Sequence, residues 1–446
     1  MNRTNYRTVL WAGAAALLLL PAGMLHAQDS ARVITLEQAV QAALASNQEI
    51  RLATLSEQAA RAGYAQTSAV FLPQVAFSYT AITTNNPLNA FGFQLQQRMI
   101  TQNNFNPALL NHPGNTADVV TRLEIQQPVI NPDKWYMRRG AASQAEAATW
   151  TTQRTREAIT FETQKAWQQL QLAWKAVEIL EQAVQTAQAV YTFTGNRYQQ
   201  GYLQKSDLLN AQVQVKNTES ELHKAQSNRA DASDYLLLLM GQKTTALYKP
   251  EGRLPATIAA EKQAQLNAGR ADFMAMQKAI EAGNYQIQAS QKSYWPQLNA
   301  FGSFQYNDKR LTGFGANAYL AGIQLQWKVF SGNSVKHTIA RQKLERDQLT
   351  QRLEQAQDAG RQELASAQRS YEDAVFYRGQ YQLTIDQAAE ALRVLQNRYG
   401  QGLANTTDVL LAATRLLQQQ LALAQVQCNL EVTAFYIQFL TTTTNK

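Results

Sequence analysis

Few residues in this chain could do chemistry, and they do not gather. The four histidines are scattered. His112 lies in an Asn- and Pro-rich stretch, and His223 and His337 fall on separate helix candidates, so solvated side chains fit them better than ligands. Cys428 stands alone, which excludes an intramolecular disulfide and any four-cysteine or CxxC metal or redox site. Gly313-Phe314-Gly315 lacks the strand–helix setting of a nucleotide-binding loop and suits a β-hairpin tip. Glu37, Glu49 and Glu57 are ordinary acids of a helix surface. No Ser–His–Asp or paired-carboxylate arrangement stands out. The expectation is a protein that is not an enzyme, with no catalytic residues, no cofactor and no metal.

Two carboxylates share a repeated setting. Asn196-Arg197-Tyr198-Gln199-Gln200-Gly201 recurs as Asn397-Arg398-Tyr399-Gly400-Gln401-Gly402, and the same register carries Asp207 onto Asp408 and Leu209 onto Leu410. Gly201 and Gly402 suit a helix end in the left-handed conformation. Ser206-Asp207 and Thr407-Asp408 offer N-cap oxygens and a negative charge at a positive helix end. One reading is two well-capped turns; the other is a pair of acids placed to meet cations.

The elements that hold these turns also come twice. Leu123-Glu124-Ile125-Gln126 matches Ile323-Gln324-Leu325-Gln326, and Pro73-Gln74 matches Pro296-Gln297 with an insertion in the first copy. A period of about 200 residues is an internal duplication, far longer than a solenoid unit. It divides the chain into a first repeat, 28–240, with a β-hairpin over about 72–130, and a second, 264–446, with a hairpin over about 295–330. Gly241, Pro250, Gly252 and Pro255 mark the linker 241–263 between them.

Each repeat mixes rods and strands. Ala166, Leu170, Ala173, Val177, Leu180, Val184, Ala187 and Tyr191 follow the 4-3 spacing of a coiled-coil seam, and Ala367, Tyr371, Ala374, Tyr381, Ile385, Ala388, Leu392 and Leu395 repeat it in the second copy, interrupted by Arg378. No proline interrupts Asp133 to Asn196 or Asn333 to Tyr399, so each predicts a helix of about 95 Å. Shorter helices are expected over about Leu36–Val70, Asp207–Met240, Ala264–Lys292 and Asp408–Leu440. The strand candidates alternate: Val75, Phe77 and Tyr79 oppose Ala76, Ser78 and Thr80, and Tyr319, Ile323 and Leu325 oppose Gly322, Gln324 and Gln326. Asn85–Asn115 is expected to be a long loop between strands. Alternation of this kind marks a transmembrane β-barrel, although a half-buried soluble sheet has the same period. Four strands cannot close a barrel, and open edges are not tolerated in lipid. Two chains would pool eight strands and three chains twelve.

Composition narrows the class. The chain has 446 residues, 45% of them hydrophobic and 17% charged. The charged share is below the ~25% of an average soluble protein, and mean hydropathy is −0.37. Beyond the N-terminus there is no apolar run of the ~20 residues a spanning helix needs. The net charge of +8 is dispersed, without a basic-aromatic platform, so a nucleic-acid partner is not expected. Residues 1–27 have a basic start, an apolar core from Val9 to Leu20, and a cleavage-like Leu25-His26-Ala27, which predicts an export signal cut before Gln28. No cysteine lies near the cut, so no lipid anchor is expected.

Ile34-Thr35-Leu36-Glu37-Gln38-Ala39, the Leu72-Pro73-Gln74 approach to a strand, and the twice-used Arg-Tyr-x-x-Gly motif with its downstream aspartate together resemble the TolC-like outer-membrane efflux family over nearly the whole mature chain. The resemblance implies an α+β membrane protein: a homotrimer with a twelve-stranded β-barrel continuous with a twelve-helix periplasmic α-barrel, the short helices stacked end to end in pairs to match the long ones. It implies a passive exit duct in the bacterial outer membrane, partnered by a periplasmic adaptor and an inner-membrane pump. A periplasmic coiled-coil adaptor or scaffold is the alternative. By the resemblance, the pore constriction and gate map onto Asp408, Asp207 and Tyr399, with Tyr399 hydrogen-bonded to Asp207. Arg197, Tyr198, Gly201, Arg398 and Gly402 map onto the periplasmic tip and adaptor contact. The family's basic gate residue and its second aspartate would fall at Ala404 and Leu411, a departure that puts a salt-bridge latch and a double acidic ring in doubt. The exported substrate is not legible in the sequence.

Overall fold

A computed structural model describes residues 31–243, 246–251 and 265–442. The export signal and most of the linker expected at 241–263 lie outside the described residues.

The first repeat begins with a three-residue strand, β1 (Arg32–Ile34), and then helix α1 (Leu36–Ser46), started by a capping box between Thr35 and Gln38. The single helix expected from Leu36 breaks at Asn47, whose extended backbone N-caps α2 (Gln48–Gln66) while its side-chain amide donates to the Leu239 carbonyl at 2.9 Å. A short 3-10 turn leads into β2 (Gln74–Thr84). The expected long loop is partly helical, holding α3 (Pro87–Gln96) and α4 (Pro107–Asn111). Asn86 and Asn106 cap these two helices and proline occupies the first turn of each, so an Asn-Pro pair starts each one.

β3 (Thr116–Ile130) runs into the first rod, α5 (Pro132–Gln199), and a tight turn reverses it into α6 (Lys205–Leu239). β4 (Tyr248–Pro250) pairs in parallel with β1, a ribbon too short to announce itself in sequence. The second repeat follows the same order: α7 (Ala271–Lys292), β5 (Gln297–Asp308), β6 (Ala316–Gln326), the second rod α8 (Ser334–Gly400), and α9 (Thr406–Thr441). At 68 and 67 residues the rods are each about 100 Å long.

The short helices meet end to end against the rods. Asn47 joins α2 to the end of α6, where Gly241, at φ +68°, lies so close to Ser46 that a Cβ would collide with its carbonyl. Beside this joint, Trp167 and Leu170 of α5 are buried with Ile34, Ala39, Leu236, Met240 and Tyr248. The Trp174 indole N–H donates to the Tyr248 carbonyl at 2.8 Å, which ties the β1–β4 ribbon to mid-rod. The second joint is more polar. Buried Arg270 grips Asp272 with two 2.7 Å bonds, and Arg154 of α5 donates to the Phe439 carbonyl at 3.2 Å near the end of α9. Burial raises the Asp272 pKa, but hydrogen bonding and charge from Arg270, with Arg154 behind it, more than offset that and hold it below the usual carboxylate range.

The four longer strands form one antiparallel sheet in the order β2-β3-β5-β6, so both edges are open. Its register aligns Val75 with Ile125, Phe77 with Leu123, Leu123 with Phe304, and Phe304 with Tyr319 on one face. Helices do not cover that face: Phe77 is 69%, Ile323 71% and Tyr319 83% exposed. The other face is polar. Arg122 donates to Gln305 at 3.0 Å and pairs with Glu124 at 3.2 Å, while buried Asp118 accepts from Gln97 and Asn307, both at 2.9 Å. Phe301, an apolar exception, lies over Gly322 of the neighbouring strand. Among the described residues, no helix is long and apolar enough to cross a membrane.

Candidate functional site

The repeated Arg-Tyr-x-x-Gly motifs form the two turns at the far ends of the rods. α5 stops in a Schellman arrangement: the Gly201 N–H donates to the Tyr198 carbonyl and the Tyr202 N–H to the Arg197 carbonyl, both at 2.9 Å. α8 stops the same way, with Gly402 on Tyr399 at 3.0 Å and Leu403 on Arg398 at 2.8 Å. Gly201 and Gly402 sit at φ +79° and +78°, as the motif predicts. Nothing crowds Gly201, so backbone conformation alone calls for glycine there.

The helices that follow start earlier than expected, and this separates the two aspartates. The N-caps are Gln204 and Asn405, both extended, while Ser206 and Thr407 are already helical. Asp207 folds back as the partner of a capping box, its carboxylate accepting the Gln204 N–H at 3.3 Å. At the second turn Asn405 does the capping, accepting the Asp408 N–H at 2.8 Å. Asp408 is exposed, and its carboxylate makes no hydrogen bond or ion pair among the described residues. The cap at one turn occupies Asp207; at the other the charge of Asp408 is left free.

Tyr399 does not bond to Asp207. It is 6% exposed, and its hydroxyl lies 2.8 Å from both Thr194 Oγ1 and Thr406 Oγ1. The reason is packing. Tyr399 turns inward among Val190, Ala211, Leu392, Val409 and Leu410, with the Phe193 ring 5.0 Å away, whereas Asp207 is held at its own helix start. Its counterpart in the first repeat, Tyr198, is 38% exposed, so the duplicated motif has diverged in environment. The two threonines are functional candidates that the sequence did not disclose.

A second tie joins the two hairpins. The Arg197 guanidinium crosses to the Gly400 carbonyl at 2.6 Å and lies over the rings of Phe193 and Tyr202. Arg398 instead stays at its own turn, 3.5 Å from the Leu403 carbonyl. Outside these ties, Tyr202 and Leu403 project from the turns and are largely exposed. Ala404 is half-buried against the Tyr399 cluster, and Leu411, one turn beyond Asp408, is 64% exposed. The tip thus combines an apolar and hydroxyl core, two apolar side chains at its end, and one free carboxylate. Among the described residues, no group of three or more His, Cys, Asp or Glu side chains is placed to hold a metal.

The family model described as outer membrane efflux protein matches residues 39–242 and 263–437. The fold is similar to that of a membrane protein from Pseudomonas aeruginosa, at 18% identity and a TM-score of 0.78, covering 91% of this chain and 90% of that one. It is also similar to the outer membrane protein VceC from Vibrio cholerae (18% identity, TM-score 0.74, 91% and 95% covered). The open state of the Neisseria gonorrhoeae MtrE outer membrane channel matches at 16% identity and a TM-score of 0.72, with 91% and 88% covered.

Proposed function

From the premise that the chain belongs to the outer membrane efflux protein family, we propose how its copies assemble and where the duct narrows. It is an outer-membrane channel with a periplasmic extension, the exit duct of a tripartite efflux or secretion system. Three copies pool their strands into a twelve-stranded barrel and their rods into one tube of helices. The observation that carries this reading is the sheet, apolar and exposed on one face and open at both edges. Unpaired backbone is not tolerated in lipid, so β2 of one copy must meet β6 of the next. A coiled-coil adaptor or scaffold would have no use for such a sheet. Repeats 28–240 and 264–446 each supply one strand pair and one helical hairpin, joined across 241–263.

The duct narrows at the tips, where three Asp408 carboxylates surround one axis. Like charges so close repel or bind cations. Asp207 supports the fold of its turn, and Tyr399, through Thr194, ties one hairpin to the other, so that separating the hairpins is the opening step. A periplasmic adaptor, coupled to an inner-membrane pump, docks on the outer parts of the same turns, around Arg197, Tyr198, Gly201, Arg398 and Gly402. The reading of three copies as one channel is tested by purifying the protein in detergent and inserting it in planar bilayers. Trimers that conduct ions are expected; a monomer that stays soluble without detergent overturns the reading.

A further inference from the structure

Helix α9 carries three charges along its 36 residues: Asp408, Arg415 and Glu431. Glu431 is half-buried and faces Arg378 of α8, but Asp408 and Arg415 are both exposed. Seven residues separate them, about 20° short of two full turns, so they share one face. Along the axis they are about 10 Å apart. Asp408, Leu411, Arg415, Gln418, Gln425 and Asn429 form an exposed stripe on that face, while Val409, Leu417, Ala424 and Cys428 lie buried on the other side. Thr414 meets Gln214 of α6 on one flank, and Gln419 meets Thr384 of α8 on the other. The stripe between these flanks is therefore turned away from the neighbouring helices. Arg415 makes no ion pair or hydrogen bond among the described residues. The repeat places uncharged Gln214 at the equivalent position of the first hairpin, so each chain brings one such base.

We propose that three Arg415 guanidinium groups form a basic ring about two helical turns inside the Asp408 ring, making the constriction a stack of opposite charges that admits anionic and zwitterionic solutes rather than a cation filter. The inference rests on the proposal that Asp408 lines the duct; if it does, the next charge on the same helix face lines it too. Each anion that passes the carboxylates meets a compensating charge before the duct widens, and cations held at the carboxylates feel the bases behind them. Three unit charges about 10 Å away in water change the local cation concentration about twofold at 0.1 M salt and about fourfold at 0.01 M.

Reversal potentials of bilayer-inserted trimers in a potassium chloride gradient test this. Arg415→Gln is expected to raise the potassium-to-chloride permeability ratio about fourfold at 0.1 M salt and about sixteenfold at 0.01 M, because the lost potential acts on the two ions with opposite sign. Arg415→Lys should keep the parent ratio, and Asp408→Asn should shift it the opposite way. An unchanged ratio for Arg415→Gln in intact trimers overturns the proposal. So does an unchanged ratio with lowered trimer melting, which would make Arg415 a pairing residue between copies. If Asp408→Asn leaves the ratio unchanged while Arg415→Gln moves it, the basic ring stands and the constriction at Asp408 falls; if the parent protein forms no channels, both fall.

Discussion

Replacing Tyr399 by Phe removes one oxygen and keeps the ring, which still packs beside Phe193 and the apolar tip residues. Two hydrogen bonds go with it, and they are not equivalent. The one to Thr406 lies within the second hairpin, while the one to Thr194 crosses from α8 to α5. Thr194 still donates to the Val190 carbonyl at 2.7 Å, so it is not stranded. Thr406, 1% exposed, loses its hydroxyl partner. The whole change should lower stability by about 1–3 kcal/mol. Of these two, only the bond to Thr194 opposes separation of the hairpins, and at about 1 kcal/mol per copy its loss should raise the resting open probability at least about fivefold. Thr406→Val is the control: it costs comparable stability but leaves the crossing bond in place. Single-channel recording gives the open probability and thermal unfolding the stability. If the crossing bond is a latch, Tyr399→Phe changes both and Thr406→Val only the second. Equal open probabilities in the two variants would refute it.

Asp408→Ala should weaken block by a trivalent cation at least tenfold, because three charges leave the constriction at once; unchanged block in bilayer recordings would mean another group forms the ring. Burial raises the Glu431 pKa and Arg378 opposes it, so the folded state holds this proton more tightly than the unfolded chain. Stability from this group is therefore present at low pH and lost as pH rises through the folded value, and Glu431→Gln should raise the melting temperature at pH 7 but not at pH 4. Asn47→Ala removes an N-cap and the bond to Leu239, and should cost about 1–3 kcal/mol in a denaturant titration. Cys428, buried and with its thiol pushed up to about 11, should resist maleimide labelling in the native protein at pH 7 and react once it is unfolded.

Much of the fold was legible because its elements are long and periodic. The rods from Asp133 and Asn333 follow from long proline-free seams, and observed α5 and α8 agree with the expected ranges to within a turn at each end. The left-handed glycines followed from the motif itself. Short or nonlocal features did not show. The β1–β4 ribbon has three residues a side and joins positions more than a repeat apart. The break at Asn47 is fixed by a carbonyl on α6, and the Asn-Pro starts at 86–87 and 106–107 were overshadowed by the loop-like composition around them. At the tip, Asp207 and Asp408 look equivalent in sequence, yet the choice of Gln204 or Asn405 as cap decides which carboxylate is free. Tyr399 likewise depends on a threonine two hundred residues away, which no local pattern could supply.

Cross-linking between the sheet edges tests the pooled barrel most directly. With buried Cys428 as a silent background, cysteines placed in pairs at the exposed polar-face positions Ser78 of β2 and Gln324 or Ala318 of β6 report whether the two edges meet. Within one chain those strands lie at opposite sides of the four-stranded sheet. Oxidation in membranes should yield covalent dimers and trimers for the aligned pair. Cross-links confined to single chains, or none across the panel, would contradict it.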